Sequence, residues 1–489
     1  MRLGWVPLPA LLALLLGACA AVAPEPPVRL AMPASYAQEK GGWQVAQRLA
    51  VTPRGPWWQV FDDPTLNDLE AQVAQHNQTL AAQLAAYDQV RAAIAQAQAA
   101  YYPVVSASSS ATRSKSPGSS NNVAVPGRIL NSLSASLSAS WELDLWGRVR
   151  LQVQAGMASA AASAATLQSV LLSLQGQLAA AYLQLRTVDA QTRLAQATVV
   201  AYQRALQLTE NRYKAGVDTA ADVALARTQL LQAQVSRTDL GVTRVQLQDA
   251  IAALVGKAPA DFSLLAVDAL PTMPVIPPGI PAQLLQRRPD LAAAQSQVEA
   301  ANAQIGVAQK AWFPNLTLSG QAGRQATRLA DLVSAPALFW SIGPSLAATL
   351  FDGGLRRAQL ASSEAAYRQT VANYRQVALS ALQQVEDNLA AQRILTDEAQ
   401  QQADVVQAAE VSLRLAENQY KAGTTSYLNV VTAQTTASNA RNAELTLRNR
   451  RYTAVVALIQ ALGGGWGETR RPALGVMPGR RSTLAEPAR

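Results

Sequence analysis

The chain has 489 residues, of which 49% are hydrophobic and only 5% aromatic, and its net charge is +9. Its 41 Lys and Arg residues are spread along the chain in runs of no more than two, without aromatic interleaving, a distribution that argues against nucleic-acid binding. A single Cys and a single His exclude an internal disulfide and a multi-Cys metal site.

In chain order, residues 1–18 read as a signal peptide: Arg2, an apolar run over 8–16, then small residues. Removing Arg2 with it lowers the charge from +9 to +8 (9 − 1). Leu16-Gly17-Ala18-Cys19 resembles the bacterial lipoprotein processing box, in which the Cys thiol is lipidated and becomes the new N-terminus. Ala18-Cys19-Ala20 also satisfies an ordinary A-x-A cleavage pattern, but the chain's only Cys falls at the box, which favours lipidation at Cys19. Ala20, in place of Asp, resembles a lipoprotein sorted to the outer membrane. Residues 19–56 then form a lipidated N-terminus and tether, with Pro24-Glu25-Pro26-Pro27 extended. No later segment has 18 consecutive apolar residues, so no transmembrane helix is expected.

The remainder is a tandem duplication. Asn211-Arg212-Tyr213-Lys214-Ala215-Gly216 returns 207 positions later as Asn418-Gln419-Tyr420-Lys421-Ala422-Gly423. The same offset pairs Val255-Gly256 with Leu462-Gly463; further upstream it becomes 211, pairing Tyr102-Pro103 with Phe313-Pro314. This period is too long for a solenoid and marks two halves of one domain, residues 57–258 and 280–466. No Pro lies between Pro126 and Pro259, or between Pro344 and Pro472. Apolar residues recur at helical spacing, as in Leu167, Val170, Leu171, Leu174 and Leu178, so residues 148–214 and 355–422 read as very long helices. Each ends at a Tyr-Lys-Ala-Gly turn, where Gly supplies the left-handed cap. Returning helices follow over 219–255 and 426–462.

Residues 133–141 alternate without error, with Leu, Ala and Trp on one face and Ser on the other. The duplicate, 340–350, alternates similarly, and weaker strands begin near Tyr102 and Phe313, followed by polar loops over 113–128 and 321–334. Such dyad alternation suits either a half-buried soluble sheet or a transmembrane barrel with a wet lumen. With an export signal and no aliphatic-rich helix left to cover the apolar face, the barrel reading prevails. Leu133, Leu137, Trp141, Ile342 and Leu346 then face lipid. Four strands cannot close, and open edges in lipid are prohibitively costly, so several copies are required.

The chain resembles the TolC/OprM-type outer-membrane efflux factors, closest to the NodT-like lipoprotein subclass. The resemblance rests on Trp57-Trp58-Gln59-Val60-Phe61-Asp62-Asp63-Pro64, Trp141-Glu142-Leu143-Asp144-Leu145-Trp146-Gly147-Arg148 and Arg287-Arg288-Pro289-Asp290-Leu291. It continues through Gly343-Pro344-Ser345-Leu346, Phe351-Asp352-Gly353-Gly354 and Ala461-Leu462-Gly463-Gly464-Gly465-Trp466. It implies a mainly α protein with a transmembrane β-barrel portion. Two repeats of long antiparallel helices plus a strand pair would assemble as a homotrimer, forming a twelve-stranded barrel and a periplasmic α-helical tunnel. It implies a periplasmic adaptor, an inner-membrane efflux pump of the resistance-nodulation-division class and outer-membrane lipid as partners. Residues 467–489 lie outside it and read as a disordered tail.

No catalytic constellation, cofactor site or metal site is read from the sequence, and the expected function is passive conduction. His76 suits a surface or packing role, Asp63 a helix N-cap, and Gly463-Gly464-Gly465 a helix stop. The resemblance places adaptor contacts and a closed aperture at the helical tips. Those are Arg212, Tyr213, Lys214 and Gly216 in one repeat, and Tyr420, Lys421 and Gly423 in the other, where plain capping is a compatible role. Related proteins often carry Asp beyond the second Gly, whereas this chain has Thr424, Thr425 and Thr432. Asp218, Asp222 and Thr425 are therefore the candidate aperture residues. Two other readings remain open, a coiled-coil envelope lipoprotein without a pore and an exported enzyme.

Overall fold

The computed structural model describes residues 55–115, 119–120, 123–124, 129–274, 276 and 287–464. The expected signal peptide, Cys19, the tether and the tail lie outside them. The described chain contains seven helices of ten residues or more: α1 Pro64–His76, α2 Gln78–Ala99, α3 Arg148–Lys214, α4 Ala220–Leu254, α5 Pro289–Lys310, α6 Leu355–Lys421 and α7 Tyr427–Ala461. The strands are β1 Val104–Lys115, a short ribbon of β2 Ser119–Ser120 and β3 Val123–Ala124, then β4 Ile129–Glu142, β5 Asn315–Ala326 and β6 Leu338–Ala347. The duplication is visible in lengths: α3 and α6 have 67 residues each, α4 and α7 have 35 each.

The chain divides into two compact units. One holds the sheet with the flanking helical ends, residues 89–161 and 295–374; the other is helical, its described part being 55–88, 162–294 and 375–464. The main sheet is antiparallel in the order β1-β4-β5-β6, leaving β1 and β6 as edges. The polar stretches beginning at Arg113 and Gln321, expected as loops, instead continue the strands to Lys115 and Ala326. Pairing decides this, because Arg113 lies opposite Asn131 and Arg324 opposite Ala135, so backbone partners outweigh side-chain polarity. Helix α3 contains an 18-residue window of mean hydropathy 1.4, apolar enough by length and composition alone to cross a membrane. It is not an uninterrupted apolar run, because Ser and Gln break the Ala- and Leu-rich stretch.

The helical unit is built around α3, whose Leu178, Tyr182, Leu183 and Leu185 are buried together with Leu66 and Val73 of α1, Ile251 of α4 and Leu458 of α7. Asp63 caps α1 by accepting from the amides of Thr65 and Leu66. Its other oxygen accepts the Tyr182 hydroxyl at 2.7 Å; burial first, and this bond second, push that hydroxyl up to about 12. Arg186 donates to Tyr182, to Asp189 and to the Leu265 carbonyl, while Arg244 donates to Asp189 and the Leu264 carbonyl. This buried network ties the segment after α4 onto α3, with every charge partnered.

Both repeats close their second long helix with the same clasp. Asn77 Nδ2 donates to the Leu254 carbonyl at 2.8 Å, and Arg288 Nη1 to the Ala461 carbonyl at 3.0 Å. Beside them, Gly256 and Gly463 take φ +75 and +91 and pass against the carbonyls of His76 and Arg287. A Cβ at Gly463 would lie 2.1 Å from the Arg287 oxygen, so Gly is required both for its conformation and for the approach. The His76 side chain itself is exposed.

Candidate functional site: helical tips and alternating sheet

The turn after α3 keeps its helix-ending geometry through backbone bonds: the Val217 amide donates to the Arg212 carbonyl, and Gly216 sits at φ +75. The turn after α6 repeats it, with Thr424 donating to the Gln419 carbonyl and Gly423 at φ +76. Identical backbones carry different side-chain chemistry. Asp218 folds back so that both carboxylate oxygens accept Arg212 Nε at 3.1 Å. The Tyr420 hydroxyl from the other repeat's tip donates to Asp218, and Thr209 lies 3.2 Å from that hydroxyl. The Arg212 guanidinium also stacks 4.6 Å over the Tyr420 ring. Burial first, and then the bond to Asp218, push the Tyr420 hydroxyl up. Tyr427 packs 5.5 Å from Tyr420, amid Ala226, Val430 and Val431; burial holds its hydroxyl up at about 12.

The tip residues therefore divide. Arg212, Asp218 and Tyr420 join the two tips within one chain, whereas Tyr213, Lys214 and Lys421 are exposed. Tyr213, the repeat mate of Tyr420, is half-exposed and makes no side-chain hydrogen bond with the described residues. Asp222, a candidate aperture residue, closes a capping box with Thr219, accepting its amide at 3.0 Å and its hydroxyl at 2.7 Å. Thr425 accepts Asn429 Nδ2 at 2.6 Å, while Ser426, the repeat mate of Thr219, makes no side-chain capping bond. One signal for the Asp218 cluster was present in the sequence: Arg212 and Asp218 are replaced together by Gln419 and Thr425 in the second repeat.

The sheet has two chemically distinct faces, because paired residues on antiparallel strands project to the same side. One face carries Val105, Ala107, Leu133, Leu137, Ala139, Trp141, Leu316, Ala322, Trp340, Ile342 and Leu346, aligned by the register Ala107↔Leu137↔Ala322↔Trp340. Leu137, Trp340, Ile342 and Leu346 are exposed in the single chain. The opposite face is a hydroxyl ladder, whose Ser residues on β1 the sequence reading did not find. Ser106–Ser138, Ser108–Ser136 and Ser110–Ser134 bond at 2.8, 3.0 and 2.8 Å. Gln321 and Gln325 of β5 extend it by donating to Ser136 and Ser132. Gly323 fits here because a Cβ would lie 2.7 Å from that of Ser136. At the helix-proximal end, Arg148 grips Glu142, Asp144 caps α3, and the Trp146 indole donates to the Pro314 carbonyl and stacks 5.2 Å from Phe313.

A sheet segment with one apolar and one hydroxyl face, combined with paired 67-residue helices, defines an outer-membrane channel of the helical-tunnel-and-barrel class. Comparison with known proteins supports the same class. The chain belongs to the outer membrane efflux protein family, whose profile matches residues 69–257 and 280–464. It is 32% identical to the antibiotic efflux pump outer membrane protein ArpC of Pseudomonas putida, across 94% of this chain and 95% of that one. It is equally 32% identical to the pyoverdine export outer membrane protein OpmQ of Pseudomonas putida, across 93% and 97%. The solved outer-membrane channel OprN superposes with a TM-score of 0.82 at 30% identity, covering 90% of this chain and 99% of that one. The chain is thus an outer-membrane component of an efflux system.

Proposed function

We propose that three copies of this chain close one twelve-stranded barrel and act as the passive exit duct of a tripartite pump, fed by a periplasmic adaptor and an inner-membrane transporter. The observation that carries this reading is the four-stranded sheet itself: its apolar face is exposed and its edges β1 and β6 lack partners within the main sheet. In lipid such edges must pair, and matching edges of neighbouring copies complete the ring. The hydroxyl face then lines water and Leu133, Leu137, Trp141, Ile342 and Leu346 face lipid. Lipidation at Cys19 anchors the mature N-terminus, and the exposed Tyr213, Lys214 and Lys421 at the tips meet the adaptor. The bonds joining Arg212, Asp218 and Tyr420 hold the duct shut at rest. The duct performs no chemistry on its cargo. ArpC and OpmQ, equally similar to this chain, carry names for different cargo, as expected if the pump selects the substrate.

Single-channel recording of the purified protein in planar bilayers tests the reading. Discrete ion-conducting openings are expected. A protein that binds bilayers without conducting is instead an envelope tether. Metabolic labelling with a fatty acid tests the anchor, which Cys19→Ser should leave unlabelled.

A further inference from the structure

Three cations stand on the sheet's apolar face. Alternation along β1 puts Arg113 and Lys115 on the same side as Val105, Ala107 and Ala111, and the register places them opposite Asn131 and Ile129. Arg324 of β5 is opposite Ala135 on one side and Leu338 on the other, again on the apolar face. All three lie at the end of the sheet away from the helices. Arg328 follows β5 at the same end, where Asp331 is the only carboxylate among the described residues. Charged residues on the apolar side of a barrel strand are costly within hydrocarbon and fall to little cost at its border, so this row, which steps from Arg324 level with Ser109 up to Arg113 and Lys115, marks the approach to the border.

Below the row is a groove of about 650 Å³. It is walled by Ala107, Leu137, Ala322 and Leu338 from the sheet, with Ser108, Ser109 and Ser136 beside them, and by Leu332 and Val333 from the segment that folds back after β5. Arg324 sits at its mouth and holds that segment, with Nη1 donating to the carbonyls of Leu332 and Ser334. Those carbonyls engage one guanidinium nitrogen, and no carboxylate among the described residues pairs with the charge.

We propose that this face is a binding site for a phosphorylated glycolipid of the outer leaflet, its phosphates held by Arg113, Lys115 and Arg324 and one acyl chain lying in the groove. Phosphate matches a row of guanidinium and ammonium donors, and an acyl chain matches the aliphatic walls; a free phosphate would leave the groove unused. The inference rests on the apolar face being the lipid-facing one.

The test uses the full-length protein purified in neutral detergent, with native mass spectrometry counting bound bisphosphorylated lipid A or its dephosphorylated form. Preference for the phosphorylated lipid is expected. The double variant Arg113→Gln/Lys115→Gln, which keeps the Arg324 anchor of the loop, should weaken that lipid roughly thirtyfold, the combined worth of two cations at an anionic lipid surface. Equal binding of both lipids, or unchanged binding in the double variant, overturns the site. A nitroxide attached at Leu137→Cys separates the two ideas. If it collides with oxygen rather than with a water-soluble nickel complex, the lipid-facing reading stands and only the glycolipid site has failed. Water-type accessibility overturns both.

Discussion

Replacing Asp218 by Ala should open the duct. The Asp218 side chain is 8% exposed and accepts two contacts from Arg212 at 3.1 Å, plus the Tyr420 hydroxyl. Hydrogen bonds to charged groups contribute about 1.5–3 kcal/mol each, but Arg212 can recover water and Tyr420 retains Thr209, so the net loss is about 2 kcal/mol per chain. Three such links released together amount to about 6 kcal/mol, and a shift of that size moves a two-state equilibrium by roughly four decades. A duct closed almost all the time becomes mostly open. Planar-bilayer recording should show open probability rising steeply, and cells should become permeable to antibiotics too large for ordinary porins. Tyr420→Phe, which removes the hydroxyl and keeps the ring beneath Arg212, should fall between. Asp222→Ala removes a helix cap worth about 1 kcal/mol and should leave gating unchanged. Parental conductance in Asp218→Ala, or equal opening by Asp222→Ala, would refute the assignment of the gate.

Three further outcomes follow from the geometry. Gly463→Ala should destabilise the helical unit by about 2–3 kcal/mol, since it combines a strained φ with contact against the Arg287 carbonyl. Gly216→Ala, at φ +75 with nothing within 4 Å, should cost only about 1 kcal/mol, and chemical denaturation that fails to separate the two would remove the argument for close approach. Leu137→Arg should cost roughly 2–4 kcal/mol if the residue lies near the bilayer midplane, whereas Ser136→Arg should be tolerated; equal yields of heat-resistant oligomer would favour a soluble sheet. Glu70 is fully buried, neither carboxylate oxygen has a hydrogen-bond partner among the described residues, and burial holds the carboxyl well above its usual 4.5. The folded state therefore binds more protons than the unfolded one, and stability falls as pH rises above 4.5 through the folded value. Glu70→Gln should flatten that decline, and parallel melting profiles for variant and parent from acid to mildly alkaline pH would exclude it.

Much of this architecture was legible because it is periodic. Long proline-free apolar stripes produced α3 and α6 with their lengths intact, and the Tyr-Lys-Ala-Gly repeats located both turns. The reading weakened wherever partners far apart in sequence decide the outcome. Strands β1 and β5 ran into polar stretches because β4 supplied backbone partners, something no local pattern announces. At the tips, sequence symmetry suggested that Tyr213 and Tyr420 were equivalent. Only Tyr420 is buried, because the carboxylate and guanidinium that receive it exist in one repeat alone. Glu70 carried no signal either, since an acidic residue on an amphipathic helix normally marks the solvent face.

The serine ladder has a consequence for whatever leaves the cell by this route. A hydroxyl is a rotor that can present its proton or its lone pairs, and three linked pairs on each chain can turn to greet a cation, an anion or a sugar alike. With no fixed charge on these rungs, the wall has no sign for cargo to be repelled by and no deep well in which it could lodge. In the proposed barrel, an exit lined this way behaves like a structured extension of water, indifferent to the traveller, and leaves discrimination to the proposed pump upstream.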